Sequence, residues 1–119
     1  MDKIQNEFTI ESHFKGKAPG VHETYNDLVK AIQQFGSVGE DPKKTSIHLV
    51  NRTALAGVAT RKDYLILTIK SDRKLDSPRI HKTEQVSAKR FHHEVKLASP
   101  EEVDSELIGW LKDAFTLSA

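Results

Sequence analysis

The hydrophobic period changes twice along this chain. Val21, Tyr25, Leu28, Val29, Ile32 and Phe35 recur at helical spacing. Between Thr45 and Ala98 the pattern becomes alternating: Ile47 with Leu49, then Leu65, Leu67 and Ile69, then Phe91, His93, Val95 and Leu97. Helical spacing returns at Val103, Leu107, Trp110, Leu111 and Phe115. Each helical stripe has to be buried against something. An antiparallel sheet whose apolar face is covered by both helices satisfies the two stripes at once. The expected fold class is therefore α+β: an antiparallel sheet of about four to five strands with two helices packed on one face, in the order α-β-β-β-(loop/β)-β-α.

Local punctuation sets the expected boundaries. Pro19 near the start and Gly36 just past the end frame the first helix. Ser99-Pro100-Glu101-Glu102 carries a capping Ser, a Pro at the first helical position and a Glu three residues on, which is expected to open the last helix. Gly36–Lys43 reads as a loop. Asn51-Arg52 and Arg61-Lys62-Asp63 read as turns, which makes Thr45–Val50, Thr53–Thr60 and Tyr64–Ser71 a meander. Gly57 within the second of these strands suggests a bulge or a close neighbour. Asp76, Ser77 and Pro78 bar Asp72–Lys82 from being a central strand, so residues 73–90 read mainly as a basic loop. Upstream, Lys15–Gly20 reads as a loop, and Thr9–Phe14 as a single helical turn capped by Thr9 and anchored by Ile10 and Phe14. Residues 1–8 are expected to be a loose lead-in and 9–117 one domain.

Several function classes drop out. There is no cysteine, which removes disulfides, thiolate metal sites and cysteine nucleophiles. No apolar run approaches the roughly 20 residues that span a bilayer, and Met1–Asn6 precedes no apolar segment of the secretory type. A cytoplasmic protein is expected. No Gly-x-Ser-x-Gly elbow, phosphate-binding glycine loop or His-Glu-x-x-His motif occurs, so no catalytic residue, metal ligand or cofactor is assigned. His92 and His93 are neighbours on a strand and point to opposite faces. His93 falls on the apolar face, as a core-edge histidine with one hydrogen bond.

Charge is segregated although the net charge is only +1. Residues 43–93 hold 12 Lys or Arg against 4 Asp or Glu, whereas residues 1–42 hold 4 against 7 and residues 94–119 hold 2 against 6. Such a segment points to an anionic partner. The candidate contacts are Lys44, Arg61, Lys62, Arg79, His81 and His92. Arg61 and Lys62 form a cationic turn tip, Lys44 precedes a strand, and Arg79 with His81 would share a face of an extended segment. His92 is expected on the wet face beside Glu94 and Lys96. Tyr64 and Phe91 are the only aromatic residues near these cations, so binding to nucleic acid would be led by the backbone phosphates rather than by base stacking.

The stretches His13-Phe14-Lys15-Gly16-Lys17, Lys44-Thr45-Ser46-Ile47, Arg61-Lys62-Asp63-Tyr64-Leu65, Leu75-Asp76-Ser77-Pro78-Arg79-Ile80 and Ser99-Pro100-Glu101-Glu102-Val103-Asp104, together with Trp110-Leu111, span roughly residues 9–117. In these the chain resembles an uncharacterised bacterial and archaeal family, domain of unknown function 5655. The resemblance implies a small α+β domain, often appended to other modules, with a predicted-transport label on some relatives. Relatives often carry a cysteine-rich knuckle ahead of the domain, which this chain lacks. It implies no catalytic residues.

The leading expectation is a non-enzymatic binding or accessory module whose basic face meets nucleic-acid backbone or a phosphate- or carboxylate-bearing ligand, without a membrane, as a monomer or weak homodimer. One alternative is a small-molecule regulatory pocket or weak enzyme, with room beside the sheet at Ala54, Ala56, Gly57 and Ala59. Another is a protein–protein interaction module pairing acidic helices with a basic sheet.

Overall fold

The computed structural model of the chain describes residues 8–119. Except for Phe8, the expected lead-in over 1–8 lies outside the described residues. The chain runs from a 3₁₀ turn (Glu11–His13) into α1 (Pro19–Gln33), then six strands, β1 (Gly39–Pro42), β2 (Ile47–Val50), β3 (Ala54–Thr60), β4 (Leu65–Ser71), β5 (Ile80–Ser87) and β6 (Arg90–Leu97). A second 3₁₀ turn (Pro100–Glu102) leads to α2 (Ser105–Leu117). The strands form one antiparallel sheet in the order β1-β2-β3-β4-β6-β5.

Six strands replace the expected four to five. The two that the sequence hides are the sheet's edges. β1 lies within the stretch read as a loop, and β5 within the segment read as the basic loop. Both are largely exposed, so neither needs the apolar alternation that reveals a half-buried strand. Pro42 ends β1, and Pro78 precedes β5, which are positions an edge tolerates.

The core lies between the sheet and the helices. Ile47, Val58, Leu67 and Val95 sit opposite one another across β2, β3, β4 and β6, and all four are buried. Val21, Leu28 and Ile32 of α1 and Leu107 and Leu111 of α2 join them in one cluster. A register shift opposite Leu49 and Val50 puts consecutive Leu55 and Ala56 in this core. The bulge is thus next to Gly57 rather than at it. Gly57 keeps regular register between His48 and Thr68.

The capping box forms where the sequence puts it but opens a different element. The Glu102 carboxylate accepts from the amides of Ala98 and Ser99 at 2.6 and 3.1 Å, closing the 3₁₀ turn. Asp104 then caps α2, its carboxylate accepting from the Leu107 amide at 3.1 Å. Helix α2 therefore starts at Ser105, five residues later than Pro100. At its other end the β2–β3 turn caps it: the amides of Arg52 and Thr53 donate to the Ser118 carbonyl, and the Asn51 side chain to that of Phe115.

Tyr25 ties α1 to the β1 edge, its hydroxyl donating to Glu40 at 2.6 Å. Burial, reinforced by that carboxylate, pushes the phenol well above the ordinary tyrosine range. Among the described residues, no helix is long and apolar enough to cross a membrane.

Candidate functional site: the cationic turns at one end of the sheet

The turns joining β1 to β2 and β3 to β4 lie at the same end of the sheet, because Ile47 at the start of β2 pairs with Val58 near the end of β3. The first is closed by the Lys43 amide donating to the Ser46 carbonyl at 2.7 Å, the second by the Arg61 amide donating to Tyr64 at 2.8 Å. They expose Lys44, Arg61 and Lys62.

A third turn is fastened against both. His13, nearly buried, hydrogen-bonds through Nε2 to the Lys43 carbonyl at 2.8 Å. That contact requires the proton on Nε2, since a carbonyl only accepts. The His13 carbonyl accepts from the Thr60 hydroxyl at 2.6 Å. The Ala18 amide, at the start of α1, donates to the Lys62 carbonyl at 2.8 Å. Phe14 anchors this segment, stacked on His22 at 4.2 Å and tilted against Tyr25 at 5.1 Å. Between these anchors, Lys15-Gly16-Lys17 must reverse direction, and Gly16 does so at φ +77°, a conformation that favours glycine.

Six cations, Lys15, Lys17, Lys43, Lys44, Arg61 and Lys62, thus ride on three turns joined by hydrogen bonds, one backbone to backbone and two through the His13 and Thr60 side chains. Lys43 is paired with Asp41 at 2.9 Å. Among the described residues, the other five form no ion pair, and the Arg61 guanidinium reaches only the Thr60 carbonyl. The first turn of α1, which begins beside Lys17, holds no acidic residue against the positive end of the helix dipole.

The remaining sequence candidates lie elsewhere. The Arg79 guanidinium turns inward to Asp104 at 2.7 Å, Glu106 at 3.3 Å and the Glu102 carbonyl at 2.6 Å. Partial burial works against its charge, but the bonds to Asp104 and Glu106 outweigh this and raise its pKa further. Its charge is met within the fold, where it clamps the start of β5 to the start of α2. His81 faces Glu94 at 3.2 Å. Arg79 and His81 are thus each held by acids of the fold. His92 lies on the open face of the sheet beside Lys70, its partner across the strands.

His93 is fully buried and makes more than the single expected hydrogen bond. Its Nε2 faces the Ser71 hydroxyl at 2.9 Å and the Arg73 carbonyl at 3.3 Å, and Nδ1 faces the Thr83 hydroxyl at 3.0 Å. Ser71 donates its one proton to the Arg73 carbonyl, and the Leu75 amide also points at Nε2, at 3.4 Å. Burial holds the His93 pKa below the ordinary histidine value. Among the described residues, no group of three or more His, Cys, Asp or Glu could hold a metal ion.

Lys15 and Lys17 are not among the candidates read from the sequence, and the structure places their turn against those of Lys44, Arg61 and Lys62. The available signal was a glycine between two lysines directly after an aromatic anchor. A family model described as Domain of unknown function (DUF5655) matches residues 10–118, and that description carries no activity. No curated protein and no solved structure matches the chain.

Proposed function

The chain belongs to the DUF5655 family, and within it we propose a non-enzymatic module that binds a polyanion, nucleic-acid backbone first, with the cationic end of its sheet. The contacts in this reading are Lys15, Lys17, Lys44, Arg61 and Lys62. The observation that carries it is the set of cross-turn bonds, His13 to Lys43, Thr60 to His13 and Ala18 to Lys62. Cations on separate flexible loops lose side-chain and loop entropy on binding, whereas turns already fixed to one another lose less. The start of α1 adds its dipole in the same place.

Stacking residues are scarce here. Tyr64 has Lys96 over its ring at 5.1 Å and is half-buried. The reading is therefore of phosphate contacts without base choice. Arg79, His81 and His92 are left out of the contact set, the first two because acids already meet them. The reading sets the domain in the cytoplasm, as a chain without cysteine allows.

The test is fluorescence anisotropy with a labelled 20-nucleotide single strand of mixed sequence. The double variant Lys44→Glu/Arg61→Glu should bind at least about ten-fold more weakly than the natural chain, and Lys89→Glu/Arg90→Glu on the β5–β6 hairpin much less so. Equal losses from both pairs would show that total charge, not this site, drives binding.

A further inference from the structure

The face of the sheet opposite the helices holds a depression of about 360 Å³. It exists because of three small residues. Gly57 stands between His48 and Thr68 in one cross-strand row, and Ala54 and Ala59 flank it on the same strand. A Cβ added at Gly57 meets nothing within 4 Å. The volume is at the low end of small-molecule sites, which run from about 300 to 1,000 Å³.

The rim has a chemistry of its own. Lys70 and His92 face each other across β4 and β6 on one side, and His48 stands on β2. No Asp or Glu lines the depression. Three carboxylates stand one strand outside it, Asp41 opposite His48, Glu94 opposite Thr68 and Glu84 opposite His92; Asp41 is paired with Lys43 at 2.9 Å, and Glu94 is engaged by His81 at 3.2 Å and lies within 3.9 Å of Lys82. Hydrocarbon below and nitrogen-bearing side chains above suit one class of ligand. From this we infer that the depression binds a small amphipathic monoanion with a flat apolar body, such as an aromatic carboxylate or sulfonate. The body covers Gly57, Ala54 and Ala59 and reaches toward His48, and the anionic group meets Lys70 and His92. This site is separate from the polyanion contacts and does not depend on them.

Gly57 provides the decisive variant. Valine suits a strand better than glycine and finds open space here, so Gly57→Val should leave the melting temperature unchanged or raise it while filling the floor. The probe is 8-anilinonaphthalene-1-sulfonate, followed by its fluorescence. The natural chain should bind it saturably at one site. Gly57→Val should weaken it by at least about ten-fold and Lys70→Gln by about five-fold, while Lys44→Glu/Arg61→Glu leaves it unchanged. 2-Naphthoate should displace it, and uncharged 2-naphthalenemethanol should not. Unsaturable binding, or an affinity indifferent to both Gly57→Val and Lys70→Gln, overturns the inference. Should Gly57→Val fail to fold, Gly57→Ala and Lys70→Gln decide it on the same criteria.

Discussion

The Thr60 hydroxyl donates to the His13 carbonyl at 2.6 Å, across 47 positions of sequence. This bond fastens the Lys15–Lys17 turn to the hairpin that carries Arg61 and Lys62. Thr60→Val keeps the shape and removes the donor, leaving a partly buried carbonyl unpaired. Chemical denaturation should show a loss of about 1–3 kcal/mol. Affinity for a single-stranded oligonucleotide should fall as well, although no charge is changed. Unchanged affinity in a folded Thr60→Val protein would mean that the turns bind independently.

A second prediction concerns the start of α2. The Leu107 amide, followed by the Arg79 guanidinium, holds the Asp104 carboxyl below the usual aspartate range. The unfolded chain then binds more protons than the folded one as the solution is acidified. The stabilisation is complete above the unfolded value of about 3.9 and is lost as pH falls through the lower folded value. Asp104→Asn keeps a capping oxygen and removes the titration, so its acid unfolding limb should be shallower than that of the natural chain. Asp104→Ala also removes the cap and should cost about 1 kcal/mol or more at neutral pH.

His93 titrates in a different window. Its folded pKa is lowered, so the neutral imidazole is the native form. Its stabilising effect is full above the unfolded value of about 6.5 and declines as pH falls from there through the folded value. Stability measured from pH 8 to pH 5 should drop, and His93→Gln should flatten that drop while lowering stability throughout. Ser71→Ala should destabilise by about 1–3 kcal/mol, because it removes the hydroxyl that the buried His93 ring and the Arg73 carbonyl share.

Gly36 tests the contact between the two helices. It adopts φ +151°, and a Cβ there would lie 2.8 Å from the Phe115 ring of α2. Gly36→Ala should cost about 1–3 kcal/mol by thermal or chemical unfolding. In Gly36→Ala/Phe115→Leu the steric part should be relieved, so the pair should be less destabilising than the sum of the single changes.

The half-buried elements were readable because their periods were. β2, β4 and β6 each put alternate residues into the core, and α1 and α2 each bury one stripe. β1 and β5 were not readable because an edge strand exposed on both faces looks like a polar loop. The Ser99 box is legible in the sequence but opens the 3₁₀ turn rather than α2, since a 3₁₀ turn and an α-helix open with the same chemistry. At the site, Lys44, Arg61 and Lys62 could be picked out as turn cations. That they lie beside Lys15 and Lys17 depends on hydrogen bonds from His13 to Lys43 and from Ala18 to Lys62, which no local pattern encodes. The engagement of Arg79 by Asp104 and Glu106 was hidden for the same reason.

The most direct test of the polyanion site is the salt dependence of oligonucleotide affinity, measured by anisotropy from 50 to 300 mM NaCl. Five phosphate contacts on a single strand should give a slope of log K against log salt of about −3.5. Lys44→Gln/Arg61→Gln, which removes two of them, should reduce it to about −2. A slope near zero in the natural chain, or an identical slope in the double variant, would contradict binding through these turns.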